Sequence, residues 1–182
     1  RLPSPPMAIS GAMALRPAGL MTVESAARAA PAMTIEQMTK VIDQDKDHVQ
    51  ALNYLAYTYA ETGDNLEAAA EYAERALELQ PNDGYILDTV GWIKFKKGDI
   101  ETAIKYLEAA YKAKSDEAII AEHLGDAYLR HQMWQKAQKM YQKAASLEID
   151  KIRHGRIVEK LANIESQSQR TGRSPASLPK AQ

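Results

Sequence analysis

Residues 87–110 read LDTVGWIKFKKGDIETAIKYLEAA. Leu87, Val90 and Gly91 lie along one face of a helix that runs up to a break at Gly98-Asp99. Ile100, Ala103, Leu107 and Ala110 then recur at the three- and four-residue spacing of a second amphipathic helix. The stretch predicts a helical hairpin, and near-copies of it lie on both sides.

Self-similarity at a fixed period marks a repeat array. Ala69, Ala103 and Ala137 stand 34 residues apart, as do Ala76, Ala110 and Ala144. Leu55-Ala56, Val90-Gly91 and Leu124-Gly125 are spaced 35 and 34 residues. The extra residue falls in the turn GDNLEAA, where an insertion costs little, and Pro81 closes the first unit. Helix axes approach to about 8–10 Å only where the contact residues permit it. Ala56, Gly91 and Gly125 are therefore expected to let the first helix of each hairpin meet Ala69, Ala103 and Ala137 on the second. Leu55, Val90, Leu124, Tyr59, Tyr128, Leu107 and Tyr141 fill the remaining space. Gly63 and Gly98 stand where a helix C-terminus takes a left-handed residue, and the third unit has Gln132 there.

The pattern L-G-x-x-Y, then G, then A, then A-L-x-x-x-P resembles the tetratricopeptide repeat (TPR) over about residues 49–150. Lys94 replaces the usual Tyr in the second unit, and Ser115 and Ile149 replace the closing Pro. Helix lengths and the Gly and Ala positions favour this family over HEAT or Sel1-like arrays. ALNYLAYTYAETGDNLEAA followed by ILDTVGWIKFKKGD is also similar to repeats of bacterial multi-TPR proteins, some of them exported lipoproteins. The resemblance implies an all-α, right-handed superhelix of about three hairpins, with units at about 49–82, 84–115 and 118–149 in a domain spanning 33–168.

Thr34 and Gln37 fit a capping box, and Met33 and Met38 a hydrophobic staple, at the start of a helix over 33–46. Ile35, Met38, Val41 and Ile42 form its apolar stripe. In phase with the repeats this is the second helix of a preceding unit, so the array begins on half a repeat or the fragment was cut inside one. Asn82 or Asp83, Asp99 and Ser115 are the expected N-caps farther along, and Trp134 opens the last hairpin's second helix. A capping helix follows at 150–168, with Ile152, Val158, Leu161 and Ile164 facing the array. Lys151, Arg153, Arg156, Glu159 and Lys160 are expected to face water.

Residues 1–32 read as a flexible Ala-, Pro- and Met-rich arm with a short helix at 22–30, and 169–182 as a basic disordered tail. The opening Arg rather than Met fits a piece processed or trimmed from something longer. AISGAMAL is too short and too weakly apolar for a secretory signal, and no apolar run approaches the ~20 residues of a membrane span. Cytoplasm and periplasm both stay open.

The chain's 182 residues suffice for one domain. It has no Cys, which excludes disulfides, thiolate zinc sites and thiol catalysis. Residues 31–149 hold 13 Lys and Arg against 20 Asp and Glu, while the flanks are net basic. An acidic array fits nucleic acid poorly, although acidic body and basic ends could attract other copies. No phosphate loop, nucleophile elbow or HExxH pattern occurs. His48, His123, His131 and His154 do not cluster, and His123 with Asp126 falls short of a metal's ligand set. It reads as a surface histidine near an acid, with Glu122 pointing elsewhere. Glu67, Glu71, Glu74 and Glu78 read as a solvated outer face. No cofactor, metal site or catalysis is expected.

The resemblance places the first helix of each hairpin on the concave face. The lining it implies is Asn53, Tyr57 and Glu61, then Tyr85, Asp88, Trp92, Phe95 and Lys96, then Glu122, His123, Asp126 and Arg130. Aromatic rings beside fixed polar groups suit a peptide-binding groove. The alternative is that Trp92 and Phe95 pack under a neighbouring helix or the N-terminal arm. Chaperone-binding TPRs carry a carboxylate clamp of Lys, Asn and Arg, but the matching positions here are Asn53, Tyr57, Thr89, Ile119 and His123, so recognition of a chaperone's C-terminal carboxylate is not expected. Two functions follow: a scaffold binding a protein or peptide in the groove, or a module that self-associates through its incomplete N-terminal repeat or arm.

Overall fold

The computed structural model describes residues 34–63 and 65–170. The arm, its expected helix at 22–30, Met33 and the tail beyond residue 170 lie outside them. Among the described residues there are eight helices and no strand: α1 (Ile35–Gln44), α2 (Val49–Thr62), α3 (Leu66–Leu79), α4 (Gly84–Lys96), α5 (Ile100–Ala113), α6 (Ala118–Arg130), α7 (Trp134–Leu147) and α8 (Lys151–Arg170). The chain is all-α, a superhelix of the hairpins α2–α3, α4–α5 and α6–α7, with α1 before them and α8 after.

Local chemistry sets the helix ends. The Thr34 hydroxyl accepts from Gln37 N at 3.2 Å and Gln37 Oε1 accepts from Thr34 N at 2.9 Å, which completes the capping box. Asn65, Asp83 and Asp99 cap α3, α4 and α5 with their side chains. His48 caps α2 through Nδ1, 3.2 Å from Ala51 N. The third hairpin is less well capped. The N-cap of its first helix is Glu117 rather than Ser115, and neither Glu117 nor Met133 makes a side-chain cap bond. All three hairpin turns place a left-handed residue at the same point: Gly63 at φ 72°, Gly98 at φ 87° and Gln132 at φ 61°. Only the last has a Cβ to strain there.

Within each hairpin the two helices approach through matched sizes. A Cβ on Gly91 would lie 2.7 Å from Leu107 Cγ, and one on Gly125 would lie 2.7 Å from the Tyr141 ring. In the first hairpin Ala56 shares a buried cluster with the small Ala73. As the second-helix residue grows from Ala to Leu to Tyr, the first-helix residue shrinks from Ala to Gly. Each hairpin also stacks on the next, and Glu67, Glu71, Glu74 and Glu78 stand exposed on the outer side of α3.

The last helix is rotated from expectation but keeps half of its expected face, with Leu161 packed on the core and Ile164 2% exposed. Ile152 and Val158 are 76% and 44% exposed, whereas Ile157 is fully buried. Asp150 sets this phase: its carboxylate accepts from the backbone N of Ile152 and Arg153, both at 3.0 Å. Counted from their caps at Glu117 and Asp150, Leu124 and Ile157 hold the same place, seven residues in. The rotation turns Arg153 and Lys160 toward α6 instead of toward water.

Candidate functional site

The first helices α2, α4 and α6 lie side by side, and α8 takes the fourth place in the row. Polar side chains bridge each to the next. Glu61 on α2 accepts from Trp92 Nε1 on α4 at 2.5 Å. Lys96 Nζ lies 3.8 Å from the same carboxylate and 4.9 Å from the centre of the Trp92 ring. Both oxygens of Asp88 on α4 stand 3.0 Å from His123 Nδ1 on α6. Glu122 and Asp126 on α6 share Lys160 Nζ of α8 at 2.7 and 2.8 Å, and Glu122 also meets Arg153 at 3.1 Å. Tyr85 donates its hydroxyl proton to Glu117.

The rings form a stack across two hairpins. Trp92 lies parallel to His123 with centroids 4.0 Å apart and to Phe95 at 4.9 Å. Tyr57 tilts against His123 at 6.2 Å. Burial alone draws the His123 pKa down, but the Asp88 carboxylate, helped by Asp126 and Glu122, outweighs it and raises the pKa above the ordinary imidazole value. A protonated His123 then places a cation over the Trp92 face, which the ring quadrupole favours. Burial, reinforced by Glu61, Asp88 and Glu122, raises the Tyr57 pKa well beyond the usual phenol range and keeps that hydroxyl neutral.

The predicted lining separates into a floor and a rim. Asn53, Asp88, Trp92 and His123 are 7% exposed or less and form the floor. Tyr57, Tyr85, Phe95, Glu122 and Asp126 are half-buried, and Glu61, Lys96 and Arg130 are exposed. Trp92 is therefore not an open platform, because its indole is sandwiched and its N–H is committed to Glu61. His123 is not a surface histidine, and its partner is Asp88 on the neighbouring hairpin. Glu122 and Asp126 do converge, on Lys160. The sequence reading turned Arg153 and Lys160 to water, whereas both stand on the face of α8 that meets Glu122. Asn53 Oδ1 is buried without a hydrogen-bond partner. No group of three or more His, Cys, Asp or Glu suited to a metal occurs among the described residues.

Residues 35–84 and 91–150, more than half of the chain, match the tetratricopeptide repeat. The chain belongs to the tetratricopeptide repeat family. A TPR repeat-containing protein of Pseudomonas aeruginosa is 37% identical over 86 residues, 47% of this chain. The chain spans 14% of that relative's length. Among solved TPR-like folds, the type III secretion translocator chaperone SycD of Yersinia enterocolitica superposes with a TM-score of 0.60 at 18% identity, covering 69% of this chain and 88% of that one. The first TPR of Spaghetti, bound to an HSP90 peptide, gives 0.59 at 15% identity, covering 69% and 96%. At these identities the likeness is one of fold. The family is one of protein-interaction modules, so a TPR protein-interaction scaffold is the coarse function. Among the described residues no helix is long and apolar enough to cross a membrane.

Proposed function

We propose that this chain is a noncatalytic scaffold that holds a partner polypeptide against the face formed by α2, α4 and α6. The observation that carries this is the division into floor and rim. A stack of Trp92, His123 and Phe95 lies under exposed Glu61 and Lys96 and half-buried Tyr57, and Arg130 stands exposed farther along α6. Charges of both signs on a preorganised base suit polypeptide recognition at low ordering cost. The HSP90 peptide in the Spaghetti complex and the chaperone role of SycD belong to those proteins, but they support this mode of action here.

A C-terminal carboxylate is a poor fit. Asn53, Thr89 and His123 are buried, and the one cationic group among them is spent on Asp88. A peptide ending in EEVD is expected to show no binding in the micromolar range. The main test is affinity purification of the intact protein with mass spectrometry, run beside Tyr57→Ala, Lys96→Glu and Arg130→Glu variants. Loss of a co-purifying protein from the variants, with an unchanged circular dichroism spectrum, is the expected result. Equal recovery would place the contact elsewhere.

Self-association is a second reading, favoured by α1. It occupies the place of a hairpin's second helix at the start of the array, and its Ile35 is 37% exposed. Light scattering across concentration and salt tests it, and a monomer at every concentration would remove it.

A further inference from the structure

The buried Asp88–His123 pair is not needed to explain the repeat fold. Its counterparts in the other seams differ: Glu61 meets an indole, and Glu122 with Asp126 meet a lysine and an arginine. Only this rung carries a group that titrates near neutral pH. We propose that the pair is a proton-operated pin in the concave face. With His123 protonated it clamps α6 to α4 beneath the Trp92 ring, and loss of the proton loosens the floor between the second and third hairpins. The consequence for partner binding rests on the function proposed above, whereas the pin itself does not.

Geometry argues the clamp. His123 Nδ1 sits between both Asp88 oxygens at 3.0 Å, and the two side chains are 4% and 6% exposed. A neutral imidazole can donate one N–H there but leaves the carboxylate as an uncompensated buried charge. The imidazolium satisfies that charge and lies 4.0 Å from the indole as a cation over a ring. The surrounding ionisable groups do not take its place. From α2, Tyr57 is held neutral and Glu61 is bound to Trp92 and Lys96. On α6 itself, Glu122 and Asp126 are engaged by Arg153 and Lys160 of α8. The raised His123 pKa agrees with this balance, the cost of burial being more than offset by the acids around it.

The experiment uses the full chain carrying Trp134→Phe, which leaves Trp92 as the single indole. Side-chain NMR would follow all four histidines from pH 5 to 9, with Trp92 emission and amide exchange in α4 and α6 measured over the same range. His123 is expected to lose its proton above the ordinary imidazole value of about 6.5. Trp92 emission should change along that same curve, and amide protection in α4 and α6, taken relative to the base-catalysed intrinsic rate at each pH, should fall at its upper end. Asp88→Asn should move the His123 transition below that ordinary value, and His123→Gln should abolish the emission change while the helical spectrum persists. A His123 that titrates at or below the ordinary imidazole value, a Trp92 signal flat across its transition, or an emission change that survives His123→Gln would each overturn the pin. These readouts need no partner, so they stand or fall apart from the proposed binding role.

Discussion

The seam inside each hairpin and the seam between successive first helices are built on different rules. Inside, the contact is apolar and governed by size: Ala56 with Ala73, Gly91 with Leu107, Gly125 with Tyr141. Between, it is polar and aromatic, and each rung has its own chemistry: Glu61 with Trp92, Asp88 with His123, then Glu122 and Asp126 with Lys160. The first seam solves one problem three times, the close approach of two helices, and so can repeat. The second makes each junction distinct and fixes which hairpin follows which.

The widest break in this comparison comes from the polar seam. Asp88→Ala leaves His123 buried with no carboxylate, so the imidazole gives up its proton and its Nδ1 loses its partner, a loss of up to about 3 kcal/mol. Urea unfolding followed by circular dichroism should show a drop of that order. The same pair predicts a pH dependence of defined sign. Because the folded pKa of His123 is raised, its contribution is complete below the unfolded value of about 6.5 and disappears as pH climbs through the folded value. The urea midpoint should fall over that window, and His123→Gln should flatten the dependence.

A smaller effect tests the apolar seam. Gly125→Ala places a Cβ 2.7 Å from the Tyr141 ring and should cost about 2 kcal/mol by overpacking. The reverse change at the matching position, Ala56→Gly, creates no clash and should cost only about 1 kcal/mol of helix propensity. Thermal melts of the two variants compare the hairpins directly, and equal losses would argue against size matching. The smallest effect is at the turns. Gln132 holds φ 61° where the other hairpins have Gly. Gln132→Gly should stabilise by about 0.5–1 kcal/mol, the relief of left-handed strain less the entropy of a freer unfolded chain.

The contrast also explains what the sequence disclosed. Helix order, the hairpin turns and the residues packed inside each hairpin follow from a spacing that recurs, and the caps at Thr34 and Asp99 have short local signatures. The concave floor has no such spacing. His123 finds Asp88 35 residues away and Trp92 finds Glu61 31 residues away, pairings that no single helix displays. Trp92 was legible as a member of the face but not as a ring closed between two others. In α8 Leu161 and Ile164 were legible as core residues, but Ile157 takes the buried place expected of Val158, one residue and about 100° away around the axis.

The inner rungs also limit how such an array can lengthen. Counted from their caps, Thr89 holds the place in α4 that His123 holds in α6. If the second hairpin were duplicated in tandem, Asp88 of the first copy would confront the threonine of the second, a carboxylate shut away from water with no cation to answer it. The hairpins share a shape, yet they are not spare parts for one another.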